Sequence, residues 1–542
     1  MTSARLGRWA DTLVVMGEGR RFLLALVAGA ATALALPPLF LWPVLFVSLP
    51  LLVFLVEGAQ GRRGGTLWPA FRVGWAFGFG YHMAGLWWIG AAFLVDAEEF
   101  LALLPVAVTL LPAGLALFCG TASAVARFFF AGGWTRVLAL AAALSATEWL
   151  RGHVLSGFPW NAFGALAATS DATIGWVALW GVYGLALPAL AVFMTPALFA
   201  RGHGRRGDTL FAGFALLAVV GHAAWLLGRE PLPNGGSVAV RVVQPAVPQR
   251  DKWDPENAAA IVQSLLDLSG ARTSPETPGL EPGTLLVWPE SVFPFLVARE
   301  PSVLAAIADL VPDGAALVSG GMRGEDASLN ADGTANPSLV WNSVLAFDPE
   351  GRIVAAQDKT HLVPFGEYLP FQDTLESFGL RQLTQRRGGF EPGAERVALD
   401  LSSLVAGLPP VLALVCYEIV FPGDVVPDDA ARPGMILNVT NDGWFGRTTG
   451  PHQHAHAARL RGVEEGLPLV RAANDGVSFV ADAHGAIVAS LGRGQRGTLD
   501  ARLPLAAVLT PYARWRDLPL AVALALCVLV LGVSRRDRSA PR

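Results

Sequence analysis

Long uninterrupted apolar runs occupy the first 230 residues of the chain and return near its C-terminal end. A helix needs about 20 apolar residues to cross the hydrocarbon core of a bilayer, and backbone groups in lipid must find their hydrogen bonds within the protein. Eight runs approach this length: 21–38, 39–57, 68–95, 100–127, 134–150, 172–200, 209–227 and 518–534. The pattern therefore predicts a polytopic α-helical membrane domain with eight spans.

The pattern changes at Ser237, where short β-rich runs begin to alternate with helical ones. Strands are predicted at 237–244, 284–290, 315–321, 342–348, 411–418, 435–442 and 476–483. Helices are predicted at 255–269, 301–310 and 451–466, and Gly- and Pro-rich loops at 321–337 and 386–393. This alternation is typical of a single layered α/β domain.

Three segments follow from these two patterns. Residues 1–227 are predicted to form a membrane domain with seven transmembrane helices, 228–517 the α/β domain, and 518–542 the eighth helix with a short tail. Arginines accumulate in alternate segments between the spans: Arg5, Arg8, Arg20, Arg21, Arg62, Arg63, Arg127, Arg201, Arg205, Arg206, Arg535, Arg536, Arg538 and Arg542. The positive-inside rule then places both termini in the cytoplasm and 228–517 outside. A cleavable signal peptide at the N-terminus is the alternative for the first run.

The composition supports a membrane protein. Hydrophobic residues make up 53% of the chain and charged residues only 15%, whereas soluble proteins carry about 25% charged residues. A wholly soluble enzyme is therefore excluded, and so is a disordered or fibrous chain. The net charge of −4 is too small to indicate a nucleic-acid binder. Three cysteines, Cys119, Cys416 and Cys527, cannot build a disulfide framework or a Cys-rich zinc site.

Lysine is almost absent from the chain. Of its 40 basic residues only Lys252 and Lys359 are lysines, and arginine supplies the other positive charges. The lysine ammonium is a compact point charge, whereas the guanidinium of arginine is broad and planar. A lysine in this chain is therefore a candidate for a task that arginine cannot perform.

Three predicted strand ends carry the residues of a nucleophilic site. Glu290 ends the run TLLVWPE, Lys359 follows IVAAQD, and Cys416 follows VLALV. A thiol is a good nucleophile only as the thiolate, and its free pKa is about 8.5. A carboxylate that takes the proton and an ammonium that holds the resulting negative charge would complete such a site. The alternative for Cys416 alone is an inert thiol in the core.

The flanking residues carry a family resemblance. The motifs WPES, DKTHLVPFGEY, CYE and NVTNDGWF resemble those of the carbon–nitrogen hydrolase (nitrilase) superfamily. With eight predicted spans and a GFPWN element at 157–161, the whole chain resembles the bacterial apolipoprotein N-acyltransferase family. The resemblance implies a nitrilase-like αββα sandwich with a catalytic triad that maps onto Glu290, Lys359 and Cys416. It also implies further functional positions at Glu367, Tyr417, Glu418 and Trp253. Tyr417 and Glu418 either support the turn or act directly in catalysis, and Glu367 either orients Lys359 or shares the proton transfer.

The resemblance further implies a two-step acyl transfer. Cys416 would take an acyl chain from a phospholipid donor, typically phosphatidylethanolamine, and the α-amine of a diacylglyceryl-modified apolipoprotein would then attack the thioester. Glu290 would move the protons, while Lys359 and the backbone N–H of Tyr417 would bind the oxyanion. The implied location is the bacterial inner membrane with the α/β domain in the periplasm, and no cofactor or metal is implied. The alternative is a membrane-anchored nitrilase-type amidase that hydrolyses a small amide.

Two charged motifs each allow a structural and a functional interpretation. Glu148 and Arg151 lie three residues apart at the end of a predicted span, where they form either a structural ion pair or a functional one. His452, His454 and His456 either begin a helix or supply metal ligands, although no HExxH motif accompanies them.

Aromatic residues in the loops near the catalytic strand ends also allow two interpretations. They either fill the domain core or form arms that enter the outer leaflet and admit an acyl chain. The residues are Phe293, Phe295, Phe365, Tyr368, Phe371, Phe390, Trp444 and Phe445. Three neighbouring arginines either meet lipid phosphates or form a solvated basic loop: Arg381, Arg386 and Arg387.

Overall fold

The structure of the protein is a computed structural model that describes residues 3–61, 64–200, 206–229, 231–274, 279–329, 335–384, 389–427 and 431–539. It divides into two compact units. The helical unit comprises Met1–Gly90, Leu103–Pro231 and Thr510–Arg542, and the α/β unit comprises Ala91–Ala102 and Leu232–Leu509. Ala91–Ala102, which the apolar pattern assigns to the membrane domain, thus groups with the α/β unit. Several arginines singled out in the sequence lie outside the described residues: Arg62, Arg63, Arg201, Arg205, Arg386, Arg387 and Arg542.

The described helices are numbered along the chain. The first ten are α1 (Ser3–Val15), α2 (Glu18–Thr32), α3 (Leu45–Glu57), α4 (Leu67–Leu86), α5 (Ala97–Phe100), α6 (Leu104–Phe129), α7 (Trp134–His153), α8 (Val177–Met194), α9 (Pro196–Phe199) and α10 (Arg206–Leu227). The others are α11 (Ala258–Gly270), α12 (Pro301–Leu310), α13 (Gln372–Ser377), α14 (Gly450–Glu465), α15 (Pro511–Trp515) and α16 (Leu518–Ser539).

Four helical stretches in the described chain are long and apolar enough to cross a membrane. They are Ala97–Phe129, Ile174–Phe199, Arg206–Leu227 and Leu518–Arg536, with mean hydropathies between 2.0 and 2.3. The other four predicted runs also contain helices, namely α2, α3, α4 and α7, but these do not meet the same criterion. Several apolar helices are therefore present, and the arrangement of eight spans stays a prediction.

Small residues allow two helices of the helical unit to approach closely. A Cβ atom built on Gly29 of α2 would collide with the carbonyl oxygen of Phe77 on α4, and one built on Gly80 of α4 would collide with the carbonyl of Leu26. Glycine is common where helix backbones pack at short range in membrane proteins. Larger residues at either position would force α2 and α4 apart.

Glu148 and Arg151 form an ion pair near the end of α7, with Arg151 Nη2 3.5 Å from Glu148 Oε1. Arg151 also donates to the carbonyl oxygens of Phe158 and Trp160, at 2.5 and 2.9 Å. Glu148 Oε1 accepts a hydrogen bond of 2.6 Å from the N–H of Phe163. These contacts hold the GFPWN segment against α7, so the geometry favours the structural interpretation of the pair.

The strands of the α/β unit form two mixed sheets. The strands are β1 (Ser237–Gln244), β2 (Thr284–Trp288), β3 (Ala316–Leu329), β4 (Ala335–Phe347), β5 (Ile353–Asp358), β6 (Val411–Val415), β7 (Met435–Thr440), β8 (Leu469–Ala473), β9 (Ser478–Ala481), β10 (Ile487–Leu491) and β11 (Gly497–Pro504). Six strands pair in the order β11-β1-β2-β3-β4-β5, and five pair in the order β10-β9-β8-β7-β6.

The two sheets stack face to face with helices on the outer sides. One apolar core combines residues of both sheets, such as Val287 of β2 and Leu437 of β7. A second core covers the other face of the six-stranded sheet with α11 and α12, through Leu265 and Ile307 among others. Helix α14 packs against β8 and β9 of the five-stranded sheet. The α/β unit is therefore a helix–sheet–sheet–helix sandwich.

The strand predictions need corrections. Residues 321–337, expected as a loop, belong largely to β3 and β4, which pair as a long antiparallel hairpin with register shifts near Glu325 and Asp326. Backbone pairing between the two strands places these residues in the sheet although their composition is rich in glycine, and 330–334 lie outside the described residues. Three strands were not predicted: β8, β10 and β11. β11 pairs with β1, far away in sequence, and such pairing leaves little local signal, whereas β8 and β10 both pair with the neighbouring β9.

Candidate active site

Strand ends from both sheets supply the candidate site. β1, β2 and β3 are parallel neighbours, and β5 runs in the same direction because it is antiparallel to β4. Glu290 follows β2 and Lys359 follows β5, so both residues lie at one edge of the six-stranded sheet. In the other sheet Cys416 follows β6, which is parallel to β7. The carboxyl ends of parallel strands are a common place for a binding site.

Both carboxylate oxygens of Glu290 are held by hydrogen bonds. Oε1 accepts from Asn342 Nδ2 on β4 at 2.8 Å, and Oε2 accepts from the backbone N–H of Asn441, just after β7, at 2.8 Å. The carboxylate therefore bridges the two sheets. β3 passes so close that a Cβ atom on Gly320 would lie 2.5 Å from the Cα of Glu290. Only glycine allows this approach, and it leaves the carboxylate in one orientation.

Lys359 and Glu367 form a buried ion pair. Lys359 Nζ lies 2.9 Å from Oε1 and 2.8 Å from Oε2 of Glu367. Glu367 Oε1 also accepts from Asn342 Nδ2 at 3.0 Å, so one amide joins Glu367 to Glu290. Burial lowers the pKa of Lys359, but the charges of Glu367 and Glu290 outweigh it and raise the pKa above its ordinary value. The Lys359 ammonium therefore keeps its charge.

Cys416 occupies a tight turn between β6 and a short 3₁₀ helix, Cys416–Val420. Its φ is +51°, a left-handed conformation that costs a non-glycine residue roughly 1–2 kcal/mol. Burial and the charge of Glu290 raise the pKa of the Cys416 thiol, against the opposing effects of Lys359 and a hydrogen bond with Thr440. The thiol at rest is therefore protonated and needs a base before it can act as a nucleophile.

Glu418 accepts hydrogen bonds from three chain segments. Its Oε1 accepts from the N–H and the hydroxyl of Thr360 at 2.9 and 2.8 Å, and from Arg396 at 3.1 Å. Its Oε2 accepts from the N–H of Val415 at 2.8 Å. Burial raises the pKa of Glu418, but the charge of Arg396 and the hydrogen bonds outweigh this effect, so the pKa is lowered.

The contacts of Glu418 are those of a support. Thr360 directly follows Lys359 and Val415 directly precedes Cys416, so the Glu418 carboxylate ties the lysine turn to the cysteine turn. The sequence left open whether Glu418 supports the turn or acts directly. The geometry favours support, because the hydrogen bonds of Glu418 go to the backbone of the two turns.

A second buried ionic group lies beneath the cysteine turn. Asp442 accepts from Arg471 Nη2 at 2.8 Å, from His454 Nδ1 at 2.8 Å and from the Thr440 hydroxyl at 3.0 Å. His454 Nε2 lies 3.1 Å from the Cys416 carbonyl oxygen. Burial raises the pKa of Asp442, but the neighbouring Arg471 and His454 outweigh it and lower the pKa. Both ring nitrogens of His454 are thus engaged with the protein, which favours its structural interpretation over a metal ligand.

Tyr417 and Trp253, two positions implied by the resemblance, differ in their exposure. Tyr417 is buried, with its ring centroid 4.9 Å from that of Phe421 and 5.9 Å from that of His361. Trp253 is 40% exposed, and its ring centre lies 6.0 Å from Nζ of the preceding residue, Lys252. Within this segment the side chain of Lys252 contacts Glu290, and a role for Trp253 stays a prediction.

The loop aromatics divide between the two interpretations. Phe293 and Phe390 are buried, as the core interpretation predicts. Phe365 is 55% exposed and Phe371 is 85% exposed, so these two are available to contact lipid or substrate. Phe295, Tyr368, Trp444 and Phe445 are half-buried, and Arg381 is exposed.

The sequence analysis missed several residues of the site. Asn342 and Arg396 carry no motif signal of their own, since an isolated amide or guanidinium near a strand is commonplace, whereas Asn441 lies within the motif NVTNDGWF. The scarcity of lysine could have identified Lys252, because it is one of only two lysines in the chain.

The α/β unit consists of two stacked sheets with a Glu, a Lys and a Cys at adjoining strand ends. Residues 240–510 match the carbon–nitrogen hydrolase family, which gives the class of protein. Residues 28–195 match the N-terminal domain of apolipoprotein N-acyltransferase. Relatives that match nearly the whole chain identify the particular family within this class. The chain is 42% identical to the apolipoprotein N-acyltransferase of Rhodopseudomonas palustris and 44% identical to that of Bradyrhizobium diazoefficiens, in each case over 98% of this chain and 98% of the relative. The chain therefore belongs to the apolipoprotein N-acyltransferase family.

Among solved structures, an amidase from Nesterenkonia sp. AN1 is similar to 54% of this chain and 99% of its own, with 20% identity and a TM-score of 0.35.

Proposed function

We propose that the protein transfers an acyl chain from a phospholipid, typically phosphatidylethanolamine, to the α-amine of a diacylglyceryl-modified apolipoprotein through a thioester on Cys416. The names of relatives that match 98% of the chain support the reaction and the acceptor. One observation carries the assignment of the site. A continuous set of hydrogen bonds runs from Lys359 through Glu367 and Asn342 to Glu290, next to the Cys416 turn.

The first half-reaction forms the thioester. Because the resting thiol is protonated, Glu290 takes its proton as the sulfur of Cys416 attacks the ester carbonyl of the phospholipid. The new carbon–sulfur bond forms, and the bond between the acyl carbon and the glycerol oxygen breaks. Glu290 then returns the proton to the leaving oxygen, which gives a lysophospholipid.

The second half-reaction transfers the acyl chain to nitrogen. The neutral α-amine of the apolipoprotein attacks the thioester carbon, the carbon–nitrogen bond forms and the carbon–sulfur bond breaks. Glu290 takes one proton from the nitrogen and delivers it to the departing sulfur of Cys416. The products are an amide and the free thiol, ready for another cycle.

Both steps pass through a tetrahedral oxyanion. The ammonium of Lys359 and the backbone N–H of Tyr417 stabilise its negative charge. Glu367 orients Lys359 through both of its oxygens, and the raised pKa of Lys359 ensures that the ammonium is charged when the oxyanion forms.

The proposed location is the bacterial inner membrane, with eight spans, both termini in the cytoplasm and the α/β unit in the periplasm. The long apolar helices and the arginines between the predicted spans support this arrangement. Reporter fusions to the segments between the helices test it. A cytoplasmic readout for a fusion within 232–509 would contradict the arrangement.

Mass spectrometry after incubation with phospholipid alone tests the reaction. We expect an added acyl mass on the peptide that contains Cys416, and release of the acyl chain when a lipopeptide with a free α-amine is added. Cys416→Ala should show no acyl mass, whereas the control Cys119→Ala should behave as the wild type. An unmodified wild-type protein that hydrolyses small amides instead would establish the amidase alternative.

A further inference from the structure

Lys252, the second lysine of the chain, lies at the candidate site although the family resemblance assigns it no role. It follows β1, the strand next to β2, and is only 2% exposed. Its Nζ donates a hydrogen bond of 2.9 Å to the backbone carbonyl oxygen of Glu290. The next residue, Ser291, has a φ of +48°, so this hydrogen bond fixes the strained turn that presents the Glu290 carboxylate.

The two buried lysines differ in their partners. Lys359 is ion-paired with both oxygens of Glu367. Within the described residues, Lys252 has no carboxylate at ion-pair distance, and its recorded hydrogen bond goes to a neutral carbonyl. The titratable groups whose charges act on Lys252 are Glu290, after β2, and Cys416, after β6. A buried cation without a close counter-ion is costly, so its retention calls for an explanation.

We propose that Lys252 is a positioning residue of the acyl-transfer site: its ammonium fixes the Glu290 turn and supplies a second positive charge for the thiolate of Cys416. The part that concerns the Glu290 turn stands on the hydrogen bond from Lys252 and on its burial, while the part that concerns catalysis rests on the proposed function. A guanidinium would not replace this ammonium, because it is broader and the site is closed. This accounts for a lysine in a chain that otherwise uses arginine.

A pH signature follows from the same arrangement. Burial lowers the pKa of Lys252 to about 8, against the opposing charges of Glu290 and Cys416. Above that pH the ammonium loses its charge, and the thiolate of Cys416 loses a stabilising neighbour. The reactivity of Cys416 should therefore rise less steeply with pH above about 8 than below it.

The experiment measures the alkylation of Cys416 by iodoacetamide from pH 6 to pH 10, in the full-length protein in detergent, with peptide mass spectrometry to resolve the three cysteines. In the wild type we expect the logarithm of the alkylation rate to rise with unit slope up to about pH 8 and less steeply above it. Lys252→Gln retains a hydrogen-bond donor and removes the charge. Its rate should be about tenfold lower at pH 7, equivalent to one pKa unit, and should meet that of the wild type above about pH 9.

The control Arg272→Gln removes one exposed cation from the same unit and should leave the curve unchanged. A wild-type curve without a bend, or a Lys252→Gln curve that is parallel to the wild type, would overturn the proposal. The wild-type bend needs no variant, so the test survives if Lys252→Gln fails to fold. Because alkylation needs neither phospholipid nor apolipoprotein, its outcome is independent of the proposed function, which fails separately if no acyl mass appears on wild-type Cys416.

The same variants test the catalytic part. Lys252→Gln should slow thioester formation from phospholipid about tenfold at pH 7 and less at pH 9, whereas Lys252→Met, which also loses the hydrogen bond, should be slowed at both values. Equal slowing of Lys252→Gln at both values would show a purely structural role and contradict the proposal.

Discussion

The helical unit and the α/β unit each contain a buried ion pair, Glu148–Arg151 and Glu367–Lys359, and the two pairs are built differently. Glu148 and Arg151 lie one helical turn apart, and their remaining contacts go to backbone groups of the following segment. Glu367 and Lys359 lie in a loop after β5, and their contacts lead through Asn342 to Glu290, on a different strand. The first pair stabilises its own neighbourhood, whereas the second connects distant segments.

The difference shows what makes a buried charge pair useful for chemistry. The Glu148–Arg151 pair holds one neighbouring segment, whereas the Lys359–Glu367 pair is linked through Asn342 to a third ionisable group, Glu290. In the α/β unit the supporting contacts are made by other groups, such as Glu418 and Asp442, which hold the turns from outside. Lys359 and Glu290 are thereby oriented at strand ends that adjoin the Cys416 turn.

The largest expected effect comes from removing the cation of each pair. Lys359→Met should slow thioester formation about 10²- to 10³-fold, because the oxyanion loses a charged donor. Arg151→Met should instead lower the free energy of unfolding by about 3–5 kcal/mol, because Glu148 is left buried without its partner. Acyl-enzyme formation per folded molecule and detergent-phase unfolding measure the two effects. Equal loss of activity per folded molecule in both variants would contradict the assignment of a catalytic role to one ion pair and a structural role to the other.

Asn342→Ala should have the next largest effect. One amide nitrogen donates to both Glu290 and Glu367, and hydrogen bonds to charged groups contribute about 1.5–3 kcal/mol each. We expect thioester formation to slow about 10- to 100-fold. Asn257→Ala, which alters an amide elsewhere in the same unit, is the control. A rate for Asn342→Ala within twofold of the wild type would show that the amide does not orient the carboxylates.

Glu418→Gln tests the support of the cysteine turn. Loss of the charged hydrogen bonds to Thr360 and Arg396 should lower the free energy of unfolding by about 1–3 kcal/mol. The pKa values of Glu418 and Asp442 are lowered in the folded state. Their contributions to stability are therefore present above the ordinary carboxyl pKa of about 4 and are lost as the pH falls through the folded-state values.

Tryptophan fluorescence during unfolding, followed between pH 3 and pH 7, measures this acid sensitivity. The wild type should lose stability as the pH drops below about 4, and Glu418→Gln should lose less over the same range. An identical pH dependence in both proteins would mean that Glu418 is not preferentially ionised in the folded state.

The smallest effect on stability is expected at the exposed aromatics. Phe371→Ser should change the free energy of unfolding by no more than about 0.5 kcal/mol, because the ring is largely exposed. The matched variant Phe293→Ser should cost about 3–5 kcal/mol, because that ring is buried. If Phe371 contacts lipid, Phe371→Ser should nevertheless slow acylation from phospholipid vesicles. Unchanged acylation would leave the ring without a role in substrate entry.

Much of the fold was predictable because its signals are local. Apolar length marked the helical segments, and alternating β-rich and helical runs marked the α/β sandwich. The strand ends with Glu290, Lys359 and Cys416 stood out because a motif surrounds each residue. The long β3–β4 hairpin was read as a loop and β11 was missed, because their pairing depends on partners and not on composition.

The sequence by itself determined the class of elements, the positions of the acid, the ammonium and the thiol, and the scarcity of lysine. Only the tertiary structure decided that Asn342 joins the two carboxylates, that Glu418 fastens one turn to another, and that Lys252 reaches the carbonyl of Glu290. The physical reason is that hydrogen bonds act over about 3 Å in space. Residues that are distant in sequence meet at that range only after the two sheets have stacked.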